Sequence, residues 1–289
     1  MPRSVSRSSP SLAPTLVVAV DWSGRARGEG RHLWTAEALD GRVVRLAGGR
    51  RRAEVEAHLV SLAGAEPRLV VGLDFSFSLP AWWVRRRGFS DASQLWRAAA
   101  SEGERWLSDC RPPFWGRPGR RRPTLDELRQ PPLRVTEQRA PPVAGLRPKS
   151  TFQVGGAGSP GTGSIRGMPM LARLLDHGFS IWPFYPPRWP LALEIWPRLL
   201  TGPVRKSDPA ARRQYVDALG AASRTPPMSP EVATLAASSE DAFDAAVSAL
   251  VLSAGLRSLA DLPASLPEAA GLEGWMWVPP CRREGSTMS

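Results

Sequence analysis

An α/β fold, a mixed sheet flanked by helices with a large Pro-, Arg- and Trp-rich insertion between its fourth and fifth core strands, follows from three observations. Short apolar runs at Leu16–Asp21, Arg68–Asp74 and Leu191–Trp196 each carry an acid near the carboxyl end. Helical spacing at Arg51–Ala63 stands between the first two of these runs, and Glu240–Ala254 is an alanine- and leucine-rich stretch without glycine or proline. Between Pro80 and Pro190 the alternation of strand and helix breaks down.

The first run, Leu16-Val17-Val18-Ala19-Val20-Asp21, is almost wholly apolar and stops at the turn Asp21-Trp22-Ser23-Gly24, which suits a strand buried on both faces. His32–Leu39 and Arg42–Ala47 flank Asp40-Gly41, a dipeptide favoured in two-residue hairpins, so the first strand should continue into an antiparallel meander. Arg51–Ala63 places Val55, Leu59 and Leu62 at helical spacing. Arg68–Asp74 is the next buried strand. The insertion carries Arg85-Arg86-Arg87, Phe114-Trp115-Gly116-Arg117, Arg120-Arg121-Arg122 and a glycine-rich run from Gly155 to Gly167, followed by a helix over Met168–His177 and an apolar stretch at Phe179–Phe184. A third buried strand ends at Pro197, a polar helical region runs to about Ala237, and the helix from Glu240 follows. The expected division is a disordered lead-in over 1–14, one domain over 15–256 (core 15–80 and 190–256, insertion 81–189) and a peripheral tail over 257–289.

The chain has 289 residues, 42% of them hydrophobic, enough for a substantial core. Its formal net charge of +11 favours an acidic partner, of which nucleic acid is the commonest. Lysine occurs only at Lys149 and Lys206 while arginine is abundant, so part of this basicity is what the codon bias of a GC-rich genome would produce. Cys110 and Cys281 form neither a zinc motif nor a disulfide framework, which fits a reducing cytoplasm. Met1–Pro14 lacks the apolar core of a signal peptide, and no run approaches a membrane span. No protein partner is indicated, and the oligomeric state is open.

Parallel strands in an open α/β sheet bring their carboxyl ends to one edge, so Asp21, Asp74 and Glu194 are expected as neighbours. On the helix, Asp241, Asp244 and Ser248 fall within about 60° of one another, while Phe243, Val247 and Leu250 mark another stripe. Two carboxylates about 4 Å apart repel by roughly 4 kcal/mol at an effective dielectric near 20, so such a cluster calls for protons or cations. Mg²⁺ or Mn²⁺ prefers oxygen ligands and serves phosphoryl displacement. Each acid also has a plainer account. An aspartate ending a strand often caps a turn, and Asp241, capped by Ser238 or Ser239, stands where the helix dipole favours an acid. Asp244, set among alanines, is the strongest candidate, because an unpaired buried charge is costly.

The order of strand with Asp21, hairpin, helix, strand with Asp74, Glu194 and the helical Asp241-Ala242-Phe243-Asp244-Ala245-Ala246 resembles the ribonuclease-H-like superfamily, and the helical motif is similar to that of RuvC-type junction resolvases. More closely, the chain looks like the uncharacterised domain-of-unknown-function family 429. That likeness rests on Val20-Asp21-Trp22-Ser23-Gly24, Gly72-Leu73-Asp74 with Leu79-Pro80, Phe152-Gln153-Val154-Gly155-Gly156-Ala157-Gly158, Glu194-Ile195-Trp196-Pro197 and Glu240-Asp241-Ala242-Phe243-Asp244-Ala245. It spans roughly Thr15 to Gly255 and implies a predicted nuclease. By this resemblance Asp21 and Asp244 would be the core metal ligands, Asp74 the acid of the fourth strand and Asp241 a further ligand or a support to the ligands. Glu194 stays open between ligand, base and polar lining.

The expected function is hydrolysis of phosphodiester bonds in DNA or RNA by Asp21, Asp74, Glu194, Asp241 and Asp244. Mg²⁺ or Mn²⁺ would be held by Asp21, Asp74, Asp241 and Asp244. Arg85, Arg86, Arg87, Arg120, Arg121, Arg122 and Arg166 would hold the phosphate backbone. The glycine-rich run could cradle phosphate but lacks the lysine and spacing of a P-loop, so a close-packed or mobile loop is favoured. Trp82, Trp83, Trp96, Trp106 and Trp115 could stack bases, with packing the favoured role. His32, His58 and His177 are isolated and take no chemistry. The alternatives are a non-catalytic nucleic-acid-binding protein with the same fold and, ranked lowest, an actin- or sugar-kinase-like nucleotide-binding protein.

Overall fold

Three central strands run side by side with their acids at one edge, in a computed structural model that describes residues 15–156, 158–223 and 225–279. The lead-in over 1–14, Cys281 and the end of the tail lie outside the described residues. The strands are β1 (Leu16–Asp21), β2 (Trp34–Leu39), β3 (Arg42–Gly48), β4 (Leu69–Leu73), β5 (Ser180–Ile181) and β6 (Leu191–Glu194). They form one six-stranded sheet in the order β3-β2-β1-β4-β6-β5. The β1–β2 and β2–β3 pairs are antiparallel, and β1–β4, β4–β6 and β5–β6 are parallel. The hairpin between β2 and β3 turns through Asp40 and Gly41, at φ 49° and 75°, the left-handed values that a two-residue primed turn requires.

The helices are α1 (Arg52–Ala65), α2 (Ala81–Arg86), α3 (Ala92–Asp109), α4 (Leu125–Leu128), α5 (Val135–Arg139), α6 (Pro160–Asp176), α7 (Pro197–Thr201), α8 (Pro209–Ala221), α9 (Pro230–Ser238), α10 (Glu240–Gly255) and α11 (Ala270–Glu273). One face of the sheet, through Val18, Val20, Val71 and Leu73, packs on α1, α3 and α6. The other, through Val17, Ala19, Val70 and Leu193, packs on α10, joined by Leu200, Val216 and Trp277. Strands buried on both faces explain the continuous apolar runs. α10 begins at Ser239, whose hydroxyl accepts from the Ala242 amide at 3.0 Å, and is buried over most of its circumference.

The insertion between β4 and β5 is helical, containing α2 to α6. Three sequence expectations change. The helix placed at Met168–His177 starts earlier, at Pro160, so it takes up part of the glycine-rich run. The Phe179–Phe184 stretch contributes the short edge strand β5, which places β6 inside the sheet rather than at its margin. The tail beyond Gly255 is not peripheral: Trp277 is buried, and its amide donates to the Glu194 carbonyl at 2.8 Å, extending the pairing of β6. Its apolar surface outweighs its Pro- and Gly-rich flanks. No helix among the described residues is long and apolar enough to cross a membrane.

Candidate active site

β1 and β4 run parallel in register, with Val20 beside Leu73, so Asp21 and Asp74 leave the sheet at the same level. Leu73 is also level with Glu194 on β6. Successive residues of a strand point to opposite faces. Asp21 and Asp74 therefore face α10, whereas Glu194 faces the insertion. α10 supplies Asp241 and Asp244 from its first turns. All five acids line one cavity of about 970 Å³.

The acids do not play equal parts there. Burial pushes the Asp21 carboxyl well above its usual range, reinforced by Asp74, Asp244 and Asp241 and opposed by Lys206. Asp74 is pushed up to about 8, by burial first and by Asp244 next. Burial also raises Asp244, against the opposing pull of Lys206 and Arg198. The Lys206 ammonium donates to Asp244 Oδ2, while Asp244 Oδ1 is buried with no hydrogen-bond partner. Asp241 sits at the rim, its Oδ2 3.0 Å from His32 Nδ1. This corrects the reading of His32 as isolated. His58 likewise has a partner, with Nε2 2.9 Å from Glu37 Oε1.

Glu194 is held by protein groups on both oxygens. Arg134 donates to Oε1 at 2.5 Å and to Oε2 at 2.9 Å, and the Phe77 amide adds a bond at 2.9 Å. The same guanidinium bonds Glu137 at 2.7 Å and the Glu273 carbonyl at 2.8 Å. Glu137 is raised to about 7 by burial, partly offset by Arg134. Of the roles left open for Glu194, this geometry matches polar lining anchored by an arginine.

Around the acids the cavity wall carries Arg25, Arg117, Arg147, Arg198, Lys149 and Lys206. None of Arg85, Arg86, Arg87, Arg120, Arg121 and Arg122 is part of that wall. They are exposed on the insertion, where Arg87 pairs with Glu102 at 2.8 Å, Arg121 pairs with Glu127 at 2.5 Å, and Arg86 and Arg122 lie over Trp82 and Trp115. Sequence runs of arginine mark exposed surface, which need not face the cleft. Arg166 does reach the wall, but its guanidinium is engaged by Glu104 at 2.6 and 2.7 Å and by the Gly24 carbonyl.

Arg166 and Arg52 together clamp the loop after β1, since Arg52 donates to the Ser23 and Arg25 carbonyls at 3.0 and 2.9 Å. The glycine-rich run closes against this loop. A Cβ on Gly24 would fall 2.4 Å from the Gly163 amide nitrogen, so only glycine lets the two backbones meet. Gly155, Gly161 and Gly167 are similarly pressed on the Gly116 carbonyl, the Thr151 carbonyl and the Phe75 ring. The run is close-packed, as favoured, and Trp83, Trp96, Trp106 and Trp115 are buried.

The donor set consists of hard oxygens, and the partnerless Asp244 Oδ1 offers one of them to a cation. Among the described residues no three His, Cys, Asp or Glu side chains stand close enough to enclose an ion. The acids therefore form no closed metal site, and the most they would offer a divalent ion is one or two carboxylates beside its waters. Lys206, Arg198 and Arg134 were not singled out from sequence as site residues. For Lys206 a signal existed, because two lysines stand among 38 basic residues and both line this cavity. No family model matches the chain, and neither the curated proteins nor the solved structures contain a match.

Proposed function

We propose that this chain is a divalent-metal-dependent nuclease that hydrolyses phosphodiester bonds of DNA or RNA. One observation carries the reading: Asp21, Asp74 and Asp244 come from three separate elements into one cavity whose wall also carries Arg25, Arg117, Arg147, Arg198, Lys149 and Lys206. Carboxylates whose ionisation is this strongly opposed call for a cation, and a cationic wall suits a phosphodiester. The resemblance to the ribonuclease-H-like superfamily and to domain-of-unknown-function family 429 supports the same reading, since an antiparallel hairpin followed by parallel strands, with acids at β1, β4 and the last long helix, is the arrangement it implies.

One or two of Asp21, Asp74 and Asp244 would hold Mg²⁺ or Mn²⁺, with waters completing its shell, and the ion would supply Lewis-acid activation of water and charge neutralisation at the phosphate. Arg117, Arg147 and Arg198 would bind the phosphate backbone, and the loop clamped by Arg52 and Arg166 would set the mouth of the cavity. Incubation of labelled single-stranded, duplex and branched DNA and RNA with Mg²⁺ or Mn²⁺ should yield products that chelator abolishes. Asp244→Asn should lower that activity by about 100-fold or more. Cleavage that survives chelator, or survives in Asp244→Asn, would count against the assignment.

A second reading, a nucleic-acid-binding protein without catalysis, is favoured by the lack of an ion-enclosing trio among the described residues. It predicts nucleic-acid affinity in Asp244→Asn and no metal-dependent product from either protein.

A further inference from the structure

The sheet edge that carries the acids continues outward to an aromatic surface. Trp34, the first residue of β2, is directly opposite Asp21 on β1, and Gly48, the last residue of β3, is directly opposite Trp34. Opposed residues of antiparallel strands share a face of the sheet. Trp34 thus stands on the same face as Asp21, one strand nearer the β3 edge. A Cβ on Gly48 would fall 2.7, 2.9 and 2.9 Å from Cε2, Cδ2 and Cζ2 of Trp34. Near-equal distances to three adjacent ring atoms put that point over the ring, so the indole lies flat on the Gly48 backbone and a larger residue there would lift it.

The indole lines a second cavity, of about 680 Å³, together with Arg31, Arg51 and Leu235. A single loop separates this cavity from the acids: Arg25, Ala26 and His32 line the acid cavity, while Gly28, Gly30 and Arg31 line the second. With one face of Trp34 taken by Gly48, the remaining face is the flat apolar surface on offer, and Leu235 of α9, 36% exposed, adds to it. Arg31 is exposed and has no ion-pair partner among the described residues. The pair of Arg51 with Glu54, at 3.3 Å, is open to solvent on both sides, and a pair so exposed contributes little and yields readily to a competing anion. An aromatic face between cations fits an unpaired nucleobase and its flanking phosphates.

We propose that the Trp34 cavity is a base-stacking subsite for a single nucleic-acid strand running out of the acid cavity, with Arg31 and Arg51 on its phosphates. This rests on the nucleic-acid part of the reading above and requires neither a metal nor catalysis. Neighbouring strands stand about 4.8 Å apart, so an indole spread over β2 and β3 lies within roughly 10 Å of the line of β1, a reach of a few nucleotides.

The test is fluorescence anisotropy of labelled oligothymidine and oligouridine in chelator, with the full chain as wild type, Trp34→Ala, Trp34→Phe and Leu235→Glu, each shown to be folded by thermal melts. Trp34→Ala should weaken binding by roughly 5-fold or more and leave the logarithmic salt slope unchanged, because no phosphate contact is lost, while Trp34→Phe should keep most of the affinity. Leu235→Glu, at an exposed position, should also weaken binding and carries the test should Trp34→Ala not fold. A single abasic position moved along the oligonucleotide should lower wild-type affinity most at one place, and that loss should vanish in Trp34→Ala. Wild-type affinity in folded Trp34→Ala, or in Leu235→Glu where the alanine variant does not fold, would overturn this inference and leave the nuclease reading standing. An abasic penalty equal in wild type and Trp34→Ala would do the same. Failure of the wild type to bind either oligonucleotide would remove the nucleic-acid reading together with it.

Discussion

Arg134 grips both carboxylate oxygens of Glu194, at 2.5 and 2.9 Å, with its own side chain fully out of solvent. The pair joins the insertion, which carries Arg134, to β6, the strand between β4 and the edge strand β5. Burial works against the guanidinium, but Glu137 and Glu194 outweigh it and hold the proton on more firmly than usual. Arg134→Met would leave two buried carboxylates without a counter-charge, a change that typically costs about 3–5 kcal/mol. The expected outcome is a drop in melting temperature of roughly 10 °C or more. Adding Glu137→Gln and Glu194→Gln should recover part of the loss, because the uncompensated charges go with them. Denaturant unfolding reads both effects; a single variant as stable as wild type would mean that Arg134 compensates nothing.

The acid cavity should leave a signature in the pH dependence of stability. Asp74 keeps its proton in the folded chain up to about 8, whereas an unperturbed aspartate loses it near 3.8. Across that window the folded state binds more protons than the unfolded one, so each rise in pH favours unfolding through this group, and the contribution levels off above about 8. Asp21 acts in the same direction. In chelator, wild type should therefore lose stability relative to Asp74→Asn as the pH climbs from about 4 to about 8. Comparing the two proteins cancels the other titrating groups. Mg²⁺ should offset the loss most at the alkaline end, where the carboxylates ionise readily. Parallel stability curves for wild type and Asp74→Asn would contradict the raised proton affinity.

Much of this architecture was legible because its signals are local. Leu16–Asp21 and Leu69–Leu73 are apolar throughout, Asp40-Gly41 forces the hairpin, and Ser239 caps a helix whose alanines leave little alternative. Glu194 shows where the reading ran out. A strand buried on both faces shows no alternation in its sequence, so nothing local reveals which side its acid takes. The parallel register decides it, one residue out of phase with Asp74. His32 meets Asp241 across 209 residues, and Lys206 reaches Asp244 across 38, separations at which helical or strand periodicity carries no information. The tail, by contrast, carried a signal in Trp275-Met276-Trp277-Val278, an apolar cluster too dense for a peripheral segment.

If the cavity binds nucleic acid, its cations should matter more than the arginine runs. Arg117→Ala and Arg147→Ala are each expected to weaken affinity for single-stranded DNA and to reduce the logarithmic salt slope by about 1 per lost phosphate contact. Arg85→Ala and Arg120→Ala alter exposed residues outside the cavity wall and should change neither. Fluorescence anisotropy across a salt series separates the two pairs. The reverse ranking would put the nucleic acid on the outer face of the insertion and away from the acids.

The tail closes the same structure from the other side. Trp277 is 1% exposed, and its neighbour Met276 donates its amide to Thr136 Oγ1 at 3.0 Å. Upstream, the Glu273 carboxylate accepts from the amides of Ala81 at 2.7 Å and Val135 at 2.8 Å, at the starts of α2 and α5. Trp277→Ala removes a large buried side chain and should cost about 3–5 kcal/mol. Trp277→Phe should cost much less, because the indole N–H has no hydrogen-bond partner to lose and the ring volume is largely kept. Since Trp277 also pairs with the backbone of Glu194, the alanine variant should speed hydrogen exchange along β6 and around Arg134 before it reaches the hairpin of β2 and β3. Equal midpoints for the two variants, or exchange that rises uniformly across the sheet, would separate the tail from the network that holds Glu194.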